Sequence, residues 1–567
     1  MSSRIVDTLY VVPVGRTGLV VLDGIGLAVA DVVALADGTA RPVAGTEAMK
    51  RVNESWDAAR QIAATGRVYG RSTGVGANRN EDVPTDTAAE HGLRLLRSHA
   101  GAIGEELPAR QVRAMLAVRA NQLLAGGAGL RPTVVTALCE ALESGAYPVV
   151  NEFGSVGTGD IAALAQAGLA LVGEHPWRNA GGPGGAEVRV ADAAGGSVSG
   201  GSGAGGSLGS GADVAVGAGA GSAAGARGGR GAGASGGARE VTGAPEPQSL
   251  DNNDALAFIS SNALTLGQAA LALHELRGLI EATQIVGALS LLAVDGSHEA
   301  YAAPVHAARP HRGSSEVARK MRELIGAEDR PTPPLGRIQD PYGFRCLPQI
   351  HGPAHDAADV LEEVLAIEIN AAAENPLICP EDMAAYHHGG FYQAQLALAL
   401  DHFRLALTQV ARLSTSRLST LNEPAFTRLR PFLADQEPAS SGVMILEYAA
   451  GAALGDLRAF SAPASLGHAV LSRGVEEQAS FASLAARQTL RACGAYRLVV
   501  GCELVAAVRA LRQRDLRPGP DLPVGRALEL AEAVLDDDPA DRPLTGDVTA
   551  AVALLDRFTQ IWRGSEA

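Results

Sequence analysis

The 567-residue sequence has few cysteines, no excess of positive charge and no apolar leader. Its five cysteines are odd in number, widely separated and without a CxxC pair, which argues against a disulfide framework and structural zinc and is typical of a reducing compartment. A formal net charge of -15 argues against nucleic acid or an anionic membrane as a partner. Residues 1–10 contain Arg4 and Asp7 and no apolar run, so we predict no signal peptide and a cytoplasmic protein.

Metal and nucleotide signatures are also missing. His351 and His355 have a metal-like i,i+4 spacing, but Pro353 lies between them and no HExxH glutamate is present, so we expect no metal. The glycine-rich runs at 70–76 and 154–159 match neither a Walker A nor a dinucleotide pattern. The sequence therefore predicts no nucleotide cofactor.

One region differs in kind from the rest of the chain. Between residues 191 and 240, 19 of 50 residues are glycine and most of the others are alanine or serine. Such a segment cannot bury enough apolar surface to offset its ordering entropy. We predict a flexible, protease-accessible surface insertion here, with little effect on thermal stability if it is deleted.

Apolar residues recur at helical spacing through most of the remaining sequence. The short β-branched runs at 9–12 and 18–22 precede a helix near 27–36, and residues 88–146 are predicted to be helical. Long periodic segments then follow at about 254–293, 353–373, 391–420, 443–461 and 475–514. The uncharged stretch 255–273 is interpreted as a core helix instead of a membrane span, because it contains several polar residues.

These patterns predict a mainly α protein with a long-helix bundle and a small mixed N-terminal region. The predicted divisions are a mixed region over 1–177, the glycine-rich insertion over 178–248, the central bundle over 249–520 and a C-terminal helical cap over 521–567.

Residues 154–160 read Gly-Ser-Val-Gly-Thr-Gly-Asp and precede an apolar run that begins at Ile161. A glycine-rich turn before a helix exposes N–H groups and the positive end of the helix dipole, which suits an anion or an electrophile. The segment resembles the signature of the histidine/phenylalanine ammonia-lyase family. In that family Gly-Ser-Val-Gly-Ala-Ser-Gly-Asp cyclises into a methylidene-imidazolone prosthetic group.

The resemblance covers nearly the whole chain outside the insertion, and its blocks occur in the family's order. They are Tyr69-Gly-Arg-Ser-Thr-Gly-Val-Gly, Ser98-His99-Ala, Arg119-Ala-Asn121, residues 337–352, residues 368–377, residues 396–401, Ser441-Gly-Val-Met and Glu476-Glu-Gln-Ala-Ser. The resemblance implies the ammonia-lyase type of helix bundle. It also implies a homotetramer in which neighbouring subunits complete each active site, and a small-molecule amino acid as the substrate.

The resemblance also implies roles for individual side chains. Tyr69 would be the base that removes the substrate's β-proton, and its ordinary pKa near 10 would need lowering. Arg345 would bind the substrate carboxylate through a bidentate fork. Tyr342 and Gln339 would orient the amine and the electrophile, and Phe391 would form a wall of the side-chain pocket. Taken singly, such a tyrosine is usually a surface aromatic and such an arginine usually belongs to a structural ion pair.

The prosthetic-group tripeptide departs from the family pattern. Gly157-Thr158-Gly159 stands in place of Ala-Ser-Gly, with one residue deleted beside it. Cyclisation needs the Gly159 nitrogen to attack the Gly157 carbonyl, and dehydration of Thr158 would leave an extra methyl on the exocyclic carbon. In the alternative interpretation this is an ordinary helix N-terminal turn with Thr158 as its N-cap. The sequence leaves both open.

Two further departures fall near the same place. In Ile259-Ser-Ser-Asn262, Ser260 matches a family asparagine that hydrogen-bonds the prosthetic group, and Asn262 is expected to face elsewhere on a helix. His388-Gly-Gly-Phe391-Tyr392 lacks an asparagine and a histidine that are common there. We expect His387 and His388 to be a solvated loop pair.

Two residues indicate the substrate. His99 matches a position that in the histidine-acting branch helps to hold the substrate ring, and Glu476 matches that branch's pocket glutamate. The ordinary alternatives are a core histidine and a helix-face carboxylate paired with Arg473. We therefore predict the conversion of histidine to urocanate and ammonia. A 2,3-aminomutase, or a catalytically silent homologue that acts as a binding or assembly partner, remains open.

Overall fold

The structure is a computed structural model that describes residues 18–84, 88–180, 243–332 and 337–563. The glycine-rich segment 191–240 and the β-branched run at 9–12 lie outside the described residues.

The N-terminal region mixes short strands with helices, as its β-branched runs predict. Its elements are β1 Gly18–Leu22, α1 Val29–Ala36, β2 Ala40–Ala44, α2 Thr46–Thr65, α3 Ala88–His99, β3 Ile103–Glu106, α4 Ala109–Leu124, α5 Pro132–Ser144, β4 Ala146–Pro148, β5 Asn151–Phe153, α6 Ile161–Leu171 and β6 Trp177–Asn179. Strands β1 and β2 pair in parallel, and β3 pairs antiparallel with β5, immediately before the glycine-rich turn.

Long helices form the rest of the described chain. The elements are α7 Asn252–Ile259, α8 Ala263–Ala293, α9 Ala303–Ala307, α10 Arg312–Ile325, α11 Tyr342–Arg345, α12 Leu347–Glu368, β7 Leu377–Cys379, β8 Ala384–Tyr386, α13 Ala394–Leu421, α14 Pro424–Thr427, α15 Ile445–Phe460, α16 Ala482–Gln513, α17 Pro523–Glu532 and α18 Thr545–Arg563. Helices α8, α13 and α16 have 31, 28 and 32 residues and pack together as the centre of the bundle. The predicted mainly α fold is confirmed.

The first long segment of the bundle is interrupted, which the sequence pattern did not predict. Helix α7 begins after Asp251, whose carboxylate accepts hydrogen bonds from the amides of Asn253 and Asp254, and α7 ends at Ile259. Residues 260–262 are not helical, and α8 begins at Ala263. The expectation that Asn262 lies on a continuous helix is therefore wrong.

Among the described residues, the stretch 252–293, formed by α7 and α8, is long and apolar enough to cross a membrane, but 94% of its most apolar window is buried inside the protein. This agrees with its interpretation as a core helix. At the C-terminus, α18 packs on α16 and α8, and α17 packs on α18. The division of the chain at residues 177, 248 and 520 remains a prediction.

Candidate active site

Tyr69 lies half-buried at the start of the glycine-rich loop, and its phenolic oxygen faces a backbone amide. The N–H of Gly76 donates to the Tyr69 hydroxyl oxygen over 2.7 Å. Burial raises the pKa of Tyr69, and the Glu476 carboxylate raises it further, whereas the Gly76 N–H and the Arg79 guanidinium lower it. The Glu476 carboxylate therefore disfavours the charged form of Tyr69.

The loop that carries Glu476 holds the Tyr69 loop in place. Leu471 and Glu476 form an antiparallel bridge, and the Ser472 hydroxyl between them accepts a 3.0 Å hydrogen bond from the Ala77 N–H. Gly76 has φ +54°, and a Cβ at this position would lie 2.5 Å from the Ser472 Oγ, so only glycine fits. Glu476 lies in a loop, so its interpretation as a helix-face charge is wrong.

The turn at 154–160 is fixed by donors from the start of α16. Three successive carbonyl oxygens accept hydrogen bonds: Ser155 from the Ser483 hydroxyl (2.9 Å), Val156 from the Phe481 N–H (2.9 Å) and Gly157 from the Ser480 hydroxyl (2.9 Å). Residues 471–483 therefore connect the Tyr69 loop to the glycine-rich turn.

The conformation of the turn explains its glycines. Gly157 and Gly159 are buried and have φ values of +93° and +123°, which disfavour other residues. A Cβ on Gly157 would lie 2.2 Å from the Ser480 Oγ. Thr158 lies between them, half-buried.

Asp160, and not Thr158, precedes helix α6, so the interpretation of Thr158 as an N-cap is wrong. The buried Asp160 carboxylate accepts hydrogen bonds from the N–H and the hydroxyl of Thr265 at 2.7 and 2.9 Å. Burial raises the pKa of Asp160, although the Thr265 donors act in the opposite direction. Its own N–H donates to the Ser261 carbonyl oxygen over 2.7 Å. Asp160 thereby joins the turn to the break between α7 and α8.

The polar residues at that break differ in what they face. The Ser260 hydroxyl accepts a 3.0 Å hydrogen bond from the Asn375 N–H. The buried Asn262 amide donates from Nδ2 to the Phe391 carbonyl oxygen over 2.7 Å, and its Oδ1 has no donor among the described residues. The structure therefore places Asn262 against the predicted pocket residue Phe391.

Of the two histidines expected to be a solvated loop pair, His387 is exposed, but His388 is half-buried and hydrogen-bonded. His388 Nε2 lies 2.7 Å from the Glu374 carbonyl oxygen, and the His388 N–H donates to the Asn375 side chain over 3.0 Å. The exposed His387 ring meets the Tyr69 ring edge-on, with 6.3 Å between their centroids. This segment thus connects Tyr69 to Asn375 and, through it, to Ser260.

A buried ion pair contacts both the end of α7 and the loop that contains Asn375. Arg119 Nη1 lies 2.8 Å from Glu374 Oε1, and both side chains are almost fully excluded from solvent. Burial lowers the pKa of Arg119, and Glu374 opposes that shift. Arg119 Nε also donates to the Phe258 carbonyl oxygen at the end of α7. The pair therefore fixes the break at 260–262 relative to the Asn375 loop.

Four predicted site residues lie apart from this cluster. The Arg345 Nε donates to the Asp340 carbonyl oxygen over 2.6 Å, and its guanidinium stacks 4.5 Å from the centre of the Tyr342 ring. Tyr342 is 68% exposed and Gln339 is also exposed. Within the described ranges, none of these three touches Tyr69 or the turn. His99 ends α3, where its Nδ1 lies 2.9 Å from the Leu95 carbonyl oxygen.

The described residues contain no group of three or more histidine, cysteine, aspartate or glutamate side chains arranged to hold a metal ion. His351 is fully buried, and burial together with Arg417 holds its pKa well below the ordinary value. His355 Nε2 lies 2.7 Å from the amide nitrogen of Gln284. Each of the two histidines has its own environment in the helix core.

Sequence reasoning missed Ser472, Ser480 and Asn262. Ser472 and Ser480 flank Glu476 at four residues on either side, but a serine in a loop carries no signal of its own. In the sequence, Asn262 stands two residues after Ser260, the position that matches the family asparagine. The interruption of the helix at Ser-Ser-Asn is what brings its side chain to the Phe391 carbonyl.

Known proteins resemble the chain over almost its full length. The family model of the aromatic amino acid lyases matches residues 27–534. Histidine ammonia-lyase of Gloeobacter violaceus is 32% identical over 550 residues, which cover 95% of this chain and 96% of that protein.

Two solved structures share the fold. The ergothioneine-degrading enzyme ergothionase of Treponema denticola has a TM-score of 0.79 at 23% identity, covering 96% of this chain and 99% of that one. Tyrosine aminomutase of Streptomyces globisporus has a TM-score of 0.79 at 23% identity, covering 96% and 98%.

Proposed function

Because the chain belongs to the aromatic amino acid lyase family, we propose that it eliminates ammonia from histidine to give urocanate. The observation that carries this proposal is that residues 471–483, which include Glu476, contact both the Tyr69 loop and the glycine-rich turn. The loops of the proposed base and of the Glu476 carboxylate meet there, beside a segment with the family's electrophile-forming pattern.

The Tyr69 phenolate is proposed to remove the β-proton. The N–H of Gly76 favours the phenolate because it donates to the oxygen that gains the charge. Glu476 is proposed to accept a hydrogen bond from the substrate imidazole N–H. The same carboxylate would disfavour a phenyl ring, which offers no such donor. His99 is proposed to contact the ring from the end of α3.

The turn fits formation of the prosthetic group from Gly157-Thr158-Gly159. Both glycines adopt positive φ, the Gly157 carbonyl oxygen already accepts a hydrogen bond, and no acceptor among the described residues faces the Gly159 N–H. Once formed, the group would supply the electrophile that captures the substrate amine or its ring. Asn262 is proposed to hold the group through its buried amide, in place of the shorter Ser260.

Arg345, Tyr342 and Gln339 are proposed to serve the active site of a neighbouring subunit in a homotetramer. The exposure of Tyr342 and Gln339 at the surface of a single chain supports this, together with Ile338, which is 93% exposed. Exposed apolar side chains on the long helices, such as Leu398, Ile445 and Tyr448, suit contacts between subunits. Arg345 would then bind the substrate carboxylate with the face that does not stack on Tyr342. We propose a cytoplasmic location.

The experiment that tests the proposal is turnover of an amino acid panel by the purified full-length protein. Histidine should give urocanate, seen by its ultraviolet absorbance, with one ammonia released per urocanate. Release of a β-amino acid on chiral analysis would indicate a 2,3-aminomutase instead. No change in histidine, tyrosine, phenylalanine or ergothioneine would contradict an enzymatic role and favour the silent binding partner.

A further inference from the structure

The Ser480 hydroxyl is oriented at the carbonyl that cyclisation would attack. Ser480 is 5% exposed, and its Oγ lies 2.9 Å from the Gly157 carbonyl oxygen. The same Oγ accepts a 3.3 Å hydrogen bond from the Ala482 N–H. Because that N–H occupies an acceptor site of the hydroxyl, the hydroxyl proton points to the Gly157 oxygen.

The neighbouring contacts hold the reacting atoms in place. The Ser155 hydroxyl donates to the Gly159 carbonyl oxygen over 3.0 Å and accepts from the Gly157 N–H over 3.1 Å, which closes the turn around Thr158. The Gly159 N–H has no acceptor among the described residues. The nucleophilic nitrogen is thus free, whereas the carbonyl that it would attack is hydrogen-bonded.

We propose that Ser480 is the positioning residue that drives cyclisation of Gly157-Thr158-Gly159, by polarising the Gly157 carbonyl and stabilising the negative charge that develops on its oxygen. This inference rests on the proposed function, because it concerns formation of that function's prosthetic group. A preorganised donor in a buried site stabilises such an oxyanion more than water does.

The chemistry balances without any oxidant or co-reactant. The Gly159 nitrogen forms a bond to the Gly157 carbonyl carbon, and its proton passes to the oxygen. That hydroxyl then leaves with the Thr158 amide proton as the first water, which creates the ring C=N bond. The Thr158 hydroxyl leaves with the Thr158 α-proton as the second water, which creates the exocyclic double bond. Ser480 is unchanged at the end.

Ser483 provides a matched control. Its hydroxyl donates to the adjacent Ser155 carbonyl oxygen over the same 2.9 Å, from the same end of α16, but that carbonyl is not attacked. Ser480→Ala and Ser483→Ala each remove one buried hydroxyl donor from this turn. A structural role alone would affect both variants alike.

The test is a time course of peptide mass spectrometry on full-length protein made by cell-free synthesis. We expect the wild type and Ser483→Ala to lose two waters from residues 150–170, and Ser480→Ala to do so on the order of 100-fold more slowly. Equal rates for wild type and Ser480→Ala would overturn the inference and leave the proposed function intact. A wild-type peptide that keeps both waters would overturn both.

A second pair of variants, Ser480→Thr and Ser480→Val, keeps the inference testable if Ser480→Ala does not fold. Threonine and valine have the same shape, but only threonine keeps the hydroxyl. Ser480→Thr should lose both waters, and Ser480→Val should retain them although it gives the same circular dichroism spectrum. Cyclisation at equal rates in these two variants would overturn the inference.

Discussion

The hydroxyl oxygen of Tyr69 lies 2.7 Å from the backbone nitrogen of Gly76, seven residues along the same loop, and accepts a hydrogen bond from its N–H. This contact favours the charged phenolate, which burial and Glu476 disfavour. The basicity of Tyr69 therefore depends on how rigidly the loop holds residue 76. Ser472 provides that rigidity from the opposite loop through the Ala77 N–H.

Ser472→Ala should move the ascending, acid-side limb of the pH profile to higher pH. Without the hydroxyl, the Ala77 and Gly76 amides are held less firmly, so the phenolate loses stabilisation and the apparent pKa of Tyr69 rises. Weakening a hydrogen bond to a charged group should raise the apparent pKa of Tyr69 by about 0.5 to 1. The measurement is kcat/KM against pH for histidine, with exposed Ser416→Ala on α13 as the control. An unshifted limb would show that Ser472 does not act on Tyr69.

Glu476→Gln should shift the same limb in the opposite direction. The carboxylate raises the pKa of Tyr69, so its replacement by a neutral amide lowers that pKa, and the active phenolate is present at lower pH. The same change should reduce kcat/KM for histidine more than for phenylalanine, since only the imidazole N–H loses a charged acceptor. If relative preference is untouched and only the melting temperature falls, Glu476 does not contact the substrate.

Arg345→Lys should raise KM and lower kcat without unfolding the protein. The guanidinium is anchored by Asp340 and stacked on Tyr342, and an ammonium reproduces neither the stacking nor the bidentate fork. Kinetics and thermal melting of the variant are to be compared with those of Arg412→Lys, which alters an exposed arginine of α13. A lower melting temperature with unchanged KM would place Arg345 outside the pocket.

Substitution of Asn262 should mainly affect activity, whereas substitution of Ser260 should mainly affect stability. Asn262→Ala removes the amide proposed to hold the prosthetic group and should lower kcat strongly. Ser260→Ala leaves the Asn375 N–H without its acceptor, which should cost about 1 kcal/mol in the free energy of unfolding and little activity. Urea unfolding together with kcat distinguishes them. If activity is lost in Ser260→Ala alone, Ser260 and not Asn262 holds the prosthetic group.

The architecture was predictable because apolar periodicity over 20 or more residues leaves little choice but a buried helix, as α8, α13 and α16 illustrate. The interruption at 260–262 was not predictable, because Ser-Ser-Asn breaks a helix only when other groups hydrogen-bond its backbone. Here the Asp160 N–H donates to the Ser261 carbonyl oxygen. The contacts of Ser472 and Ser480 join positions more than 300 residues apart, and no local pattern in the sequence encodes them.

The most direct test of the account is the mass of the peptide that contains residues 150–170 in purified wild-type protein, measured beside the same peptide from Thr158→Val. The account predicts that the wild-type peptide lacks two waters, and that the valine variant lacks no more than one because it has no hydroxyl to eliminate. A wild-type peptide at its unmodified mass would contradict the account, since the turn would then carry no electrophile and the chain would keep the family's fold without its chemistry.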